Sequence, residues 1–328
     1  MATTTITNLR IDQREAALLE RAPRSLWSDA RRRLLRNKAA VAGVIYIAFL
    51  IVIAISAGLL APHNPIEIFP GQSYRHAAWI QTNNPATSGN WTFPLGTDSI
   101  GRDVFSRLIY GTRTSLVVGF IPMTLTLLIG TLIGLVAGFK GGFIDGLLMR
   151  FADIIYSFPA LLFFIIVMAA LKDTVIGKFL NGFLILFAAL SLVGWVAVAR
   201  LVRGQVLALK EKDFVLAAEA LGVRQHQILL RHLLPNSLGP IIIAGAFIVP
   251  GAIIAEAVLS YLGIGLRPAT DPNALFPVSW GTMILDGKSA IVAQPWLLIA
   301  PAVAIASITL AFTFLGDGLR DALDPRDG

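Results

Sequence analysis

The sequence predicts an all-α integral membrane protein with six transmembrane helices. Three observations predict it. Of 328 residues, 55% are hydrophobic and only 14% charged, with a mean hydropathy of +0.72. An ordinary soluble domain carries roughly 25% charged residues, and a chain this size cannot enclose so much apolar surface in a soluble core. The charges are also clustered, leaving six apolar runs of about the 20 residues that a helix needs to cross the hydrocarbon layer. The clustered cations fall mainly on alternate gaps between those runs. Backbone groups in lipid must pair within their own segment, which selects helices. With Cys 0, disulfides, thiol catalysis and Cys-ligated metal are excluded. The composition also excludes disorder and collagen.

The runs are 39–61, 115–139, 154–171, 179–199, 238–261 and a last one within 289–316. Placing the N-terminus inside puts nineteen Lys and Arg in the inner segments 1–38, 140–150, 200–236 and 317–328. The outer segments 62–113, 172–178 and 263–288 hold eight. The excess of inner cations predicts that both termini are cytoplasmic. The net charge of +7 is therefore read as membrane-flanking and calls for no nucleic acid. The first run and its charged leader are too long for a signal peptide, so an uncleaved anchor is expected.

The segments follow in order. Residues 1–38 form a cytoplasmic tail. Within it 25–38 reads as a basic amphipathic helix, with Leu26, Trp27, Ala30 and Leu34 at helical spacing and Arg31, Arg32, Arg33 and Arg36 around them, lying in the inner interface. Residues 39–61 are the first span. Residues 62–113 are an external loop. Its first part, 62–93, is polar and punctuated by Pro62, Pro65, Pro70 and Pro85, which predicts little regular structure. Residues 101–110 read as a short interfacial helix. The core, 114–318, holds the other five spans and the cytoplasmic segment 200–236. There Asp213 opens a helix to Leu221, Gly222 stands where a helix ends, and a second helix, 224–234, stops at Pro235. Residues 319–328 form a cytoplasmic tail.

Chemistry-bearing motifs are sparse. Five residues separate Gly281 from Gly287-Lys288-Ser289, where a phosphate loop needs four, and Asp286 takes the second glycine's place. His63, His76, His226 and His232 form no ligand pair on a helix. Gly130, Gly134 and Gly138 make a G-x-x-x-G repeat that permits close helix packing. Pro122, Pro159, Pro250 and Pro301 predict kinks. Asp153 reads as a charge at the start of the third span. Glu256 lies inside the fifth run, where a carboxylate costs about 2.5–3.5 kcal/mol on insertion scales and must face the bundle or water. It reads either as a pathway or gate residue or as a hydrogen-bonded strut between helices.

Two stretches carry a resemblance. Ala217-Ala218, Gly222 and Leu234-Pro235 stand at the spacing of the E-A-A-x-x-x-G-x(9)-I-x-L-P loop of permease subunits of bacterial ABC importers, with Leu216 and His232 departing from the pattern. Pro94-Leu95-Gly96-Thr97-Asp98, Gly101-Arg102-Asp103, Ser106-Arg107, Gly111, Arg113 and Ser115 resemble a segment of the C-type permease subunits of dipeptide, oligopeptide and nickel importers. Residues 316–321 with Asp324-Pro325 resemble their C-terminal signature.

The resemblance implies a type I ABC importer permease architecture in a bacterial inner membrane. It implies an ATPase-coupling loop carried by Ala217, Ala218, Gly222, Leu234 and Pro235, and an external signature of Gly96, Thr97, Asp98, Gly101, Arg102, Asp103, Ser106, Arg107 and Arg113. The implied partners are a second, homologous permease, two ATP-binding subunits that hold ATP and Mg, and an external solute-binding protein. The implied substrates are peptides, with nickel or another small solute as the alternative. A stand-alone secondary transporter or channel would instead use Glu256 as its coupling-ion site. A membrane-embedded enzyme needs a nucleophile or metal constellation that the sequence does not offer.

Overall fold

The computed structural model describes residues 26–271, 273–292 and 294–323. Asp324-Pro325 and the first 25 residues lie outside the described residues, as do the side chains of Leu26 and Trp27. Among the described residues the structure is helical, and the one β pairing is an isolated bridge between Thr97 and Asp103. Five helices are apolar and long enough to cross a membrane, and a bent pair makes up to six.

Helix α1 (Leu26–Arg36) runs into α2 (Lys38–Ile55) through a single residue, Asn37. The Asn37 amide N–H donates to Leu34 O at 3.1 Å, and its side chain accepts from the amides of Ala39 and Ala40. One residue thus ends one helix and caps the next. The first run was expected to be one span over 39–61. Instead α2 stops at Ile55, and a short turn, α3 (Ala57–Leu60), follows Ser56.

Residues 61–103 form an ordered loop without regular elements. It folds on itself through bonds such as His76 N to Thr87 O at 2.8 Å and Ala78 N to Pro94 O at 3.1 Å, burying Ala77, Ala78 and Phe93. Helix α4 (Val104–Lys140) then runs for 37 residues. The separate interfacial helix expected at 101–110 begins at Val104 and is the first two turns of α4, which continues unbroken through Gly111. At helical rise α4 is about 55 Å long, so it tilts or projects beyond the roughly 30 Å hydrocarbon layer.

The third span departs most from expectation. It is not one helix over 154–171. Helix α5 (Gly142–Tyr156) and α6 (Ala160–Leu171) meet at 75°. Pro159 lacks an amide donor and restricts Phe158, which ends the first helix before it. A short turn, α7 (Val175–Lys178), leads to α8 (Phe183–Lys210). Helix α8 continues past residue 199 to Lys210, so residues 200–210 are helical and continuous with the apolar run before them. Arg200 pairs with Asp153 at 2.6 Å, and Arg203 grips Asp145 through two bonds of 2.5 and 2.6 Å. These pairs fasten α8 to α5.

Helix α9 (Asp213–Ala220) and a single turn, α10 (Gln225–Ile228), complete the segment. A π-turn over Leu229–Leu233 joins α10 to α11 (Leu234–Tyr261), and the whole stretch Gln225–Tyr261 is one helical rod of 37 residues. Pro235 therefore lies inside a continuous helical rod, just after the π-turn, where a stop was expected. A proline inside a helix forfeits one ladder bond and crowds the preceding turn, and the π-turn lies in that preceding turn. Asn236 and Ser237 also reach back to the carbonyls of His232 and Leu233 at 2.6 and 2.8 Å. Helices α12 (Trp280–Lys288) and α13 (Trp296–Leu323) complete the chain.

Packing follows the small residues. A Cβ on Gly130 would sit 2.6 Å from the Val198 Cβ, and one on Gly138 would sit 2.8 Å from the Val206 Cβ. The G-x-x-x-G repeat thus lets α4 and α8 approach closely. One apolar cluster joins α2, α4, α11, α12 and α13 around Trp280 and Ile308. A second joins α4, α6, α8 and α11 around Leu186 and Met168, and a third gathers α4, α8, α9 and α11 around Val206 and Leu233.

Candidate functional site

Two regions hold the residues singled out by sequence. The first is a clamp built by residues 96–113. Asp98 is 2% exposed. Its Oδ1 accepts from the amides of Ile100 and Arg102 at 3.1 and 2.9 Å, which closes a tight loop around Gly101. Its Oδ2 accepts from Arg102 Nε at 2.6 Å and from the Arg107 guanidinium. Both arginines also reach Asp286 Oδ2 on α12, Arg107 at 2.7 Å and Arg102 at 3.0 Å. Two cations and two carboxylates balance, and the arginine forks satisfy both acids at once. Asp286 was noted in the sequence only as a defect in a phosphate loop. Its partners are remote in sequence, so no local signal marked it.

The rest of the motif builds the frame. Asp103 caps α4, accepting from the amides of Phe105 and Ser106 at 3.2 and 3.1 Å and from the Ser106 hydroxyl at 2.5 Å. Its Oδ2 also lies 3.3 Å from His63 Nδ1, and the His63 amide donates to Ser106 Oγ at 3.0 Å, so the start of the outer loop is tied to α4. Thr97 Oγ1 accepts from the Arg75 amide at 2.9 Å and donates to Gln72 O. Gly96 and Gly101 turn the chain at φ +75° and +89°. Arg113 donates to Ala54 O at 2.9 Å and to Ile55 O at 3.5 Å, covering carbonyls that the break after α2 leaves without helical partners.

Glu256 on α11 is fully buried. Its Oε1 accepts from the hydroxyls of Ser260 and Ser279, each at 2.7 Å. Ser279 caps α12 through a capping box with Thr282. A Cβ on Gly281 would stand 2.6 Å from Glu256 Oε2, so the carboxylate is packed against the first turn of α12, where a helix N-terminus favours negative charge. Trp280 Nε1 donates to Leu108 O at 3.0 Å, and the Trp280 amide donates to Ser115 Oγ at 3.3 Å. Glu256 Oε2 is buried without a hydrogen-bond partner among the described residues.

The second region is α9 and the turn after it. Val223 N donates to Ala218 O at 3.1 Å and Gly222 N to Glu219 O at 2.9 Å, with Gly222 at φ +73°. This is a Schellman ending, the arrangement for which a glycine is suited. Ala217 and Ala218 do not share a face. Ala218 is buried with Val215 against α8 and α11, whereas Ala217 is exposed. The outward stripe of α9 and its C-terminal cap is Phe214, Ala217 and Leu221 at i, i+3 and i+7, with Phe214 43% and Leu221 84% exposed. Sequence reasoning missed Phe214 and Leu221, although their helical spacing with Ala217 was readable. Leu234 is half-buried and Pro235 exposed at the start of α11. Among the described residues no group of three or more His, Cys, Asp or Glu could hold a metal.

The sequence matches the family described as "Binding-protein-dependent transport system inner membrane component" over residues 130–326. Residues 25–81 match "N-terminal TM domain of oligopeptide transport permease C". The oligopeptide transport system permease protein OppC of Haemophilus influenzae is 41% identical over 304 residues, covering 93% of this chain and 90% of that protein. The dipeptide transport system permease protein DppC of Bacillus subtilis is 40% identical, covering 95% and 90%. OppC of Bacillus subtilis is 38% identical, covering 95% and 93%. The chain belongs to the family of inner-membrane components of binding-protein-dependent transport systems.

Proposed function

We propose that the chain is the C-type permease subunit of an ATP-driven importer of di- or oligopeptides in a bacterial inner membrane. It forms half of the translocation path with a second, homologous permease. Two separate subunits bind ATP and Mg, and an external solute-binding protein delivers the peptide. Six spans cross the membrane, the bent α5–α6 pair counting as one, and both termini are cytoplasmic. Similarity to peptide permeases across nearly the whole length supports the substrate class.

The observation that carries the coupling role is the exposed apolar stripe of Phe214, Ala217 and Leu221. A solvent-facing apolar stripe on a short helix outside the spans is the mark of a partner surface. Moving an alternating-access equilibrium from 1:99 to 99:1 takes about 5.5 kcal/mol of differential stabilisation. ATP-driven closure of the partner subunits would supply it, pulling on α9. The rod Gln225–Tyr261 begins beside α9 and ends at Glu256 and α12, so a pull at one end is felt at the other. On the outer face, the ordered loop 61–103 receives the binding protein, held to α12 by Asp98, Arg102 and Arg107. Deleting residues 72–90 tests this last point: uptake and binding-protein-stimulated ATPase activity both fall in an assembled complex, and normal values for both would remove the loop from docking.

A further inference from the structure

We propose that the outward face of α1 is a binding site for anionic phospholipid head groups, with Arg31, Arg32 and Arg36 on the phosphates and Leu35 entering the acyl region. A concavity of about 410 Å³ is lined by Ser28, Arg31, Arg32, Leu35 and Arg36. Arg31, Arg32 and Arg36 are exposed. The nearest acids by element are Asp29 on α1 and Asp317 and Asp321 on α13. Among the described residues none of these pairs with the three arginines. Three guanidiniums around one pocket repel one another and attract an anion of matching fork geometry.

Position selects the lipid among anions. Asn37 alone separates α1 from the span α2, so the pocket lies at the membrane boundary. Leu35 is 61% exposed in the middle of the basic face. An apolar side chain between cations suits a surface whose outer layer is charged and whose next layer is hydrocarbon. The face cannot roll away. Ala30 is buried on the opposite side, and a Cβ on Gly318 of α13 would stand 3.2 Å from Leu34 Cδ1. The site needs only that α2 spans the bilayer, so it stands apart from the transport reading.

The test is retention of phosphatidylglycerol by the delipidated, assembled complex, read by native mass spectrometry, with phosphatidylcholine as the zwitterionic control. A cation near an anionic surface is worth about fivefold in affinity. The Arg31→Gln/Arg32→Gln/Arg36→Gln variant should therefore lose phosphatidylglycerol more than about tenfold, while the matching Lys variant keeps most of it. Equal retention by the Gln variant would overturn the proposal, as would displacement of the lipid by inorganic phosphate alone. A second measurement avoids the arginines. A spin label on Leu35→Cys, in a chain without native cysteine, should show the oxygen collision rate of a bilayer-facing site. Shielding by the second permease, seen as a cross-link to it, would contradict the site.

Discussion

Arg107 on α4 and Asp286 on α12 are joined at 2.7 Å across 179 residues of sequence. Arg107 is 2% exposed, and its Nη1 holds Asp98 in the outer loop. Removing one partner of a buried pair leaves an uncompensated charge and costs about 3–5 kcal/mol. Arg107→Met should therefore free the outer loop, seen as faster protease cleavage within residues 61–103 of the assembled complex. Asp286→Asn should do less, because Asp286 is one-third exposed and Asp98 remains in place. Unchanged cleavage in Arg107→Met would show that the clamp does not hold the loop.

Glu256 separates two kinds of transporter. As a strut it needs only an acceptor at Oε1, so Glu256→Gln should keep uptake within about twofold. Glu256→Leu leaves the buried Ser260 and Ser279 hydroxyls without their acceptor, at about 1–3 kcal/mol each, and should lower the yield of assembled complex. Were Glu256 a coupling-ion site, the Gln variant would lose uptake and its dependence on the ion gradient.

The stripe on α9 makes a prediction opposite in kind from its buried face. Leu221→Arg should lower co-purification of the ATP-binding subunits and uptake by more than about tenfold, by setting an unpaired charge in a partner surface, with membrane insertion unchanged. Ala218→Arg should instead destabilise the subunit itself, since Ala218 packs inward. Gly222→Ala is expected to cost about 1 kcal/mol from its positive φ, and Gly222→Pro more, because the Gly222 amide donates to Glu219 O. Normal uptake in Leu221→Arg would remove α9 from the coupling path.

Topology is open to direct labelling. Asn83 and Gln225 are both exposed. In spheroplasts, Asn83→Cys should react with an impermeant thiol reagent and Gln225→Cys should not. The reverse pattern would invert the orientation argued from the cations. Ser88 is a poorer site, because its hydroxyl is engaged with Gln81 at 2.8 Å.

These residues also show which parts of the molecule were legible in sequence. The apolar runs, the Gly222 turn and the Gly130, Gly134, Gly138 contact follow from local periodicity and from what glycine permits. The Arg107–Asp286 pair was invisible, because nothing near either residue signals a partner 179 positions away. The facing of Ala217 and Ala218 depends on how α9 rests on α8 and α11, which no local pattern sets. Pro159 and Pro235 look alike in sequence. The first stands at a 75° break between two helices, whereas the second lies inside one continuous rod just after a π-turn, and no local pattern distinguishes the two.

Reconstitution decides the transport reading. The chain would be placed in proteoliposomes with its homologous permease, the two ATP-binding subunits and the binding protein, and uptake of a labelled oligopeptide measured. Accumulation is predicted only with ATP and the binding protein together, and it should collapse in Leu221→Arg while Glu256→Gln stays active. Accumulation driven by an ion gradient without ATP, abolished by Glu256→Gln, would contradict it.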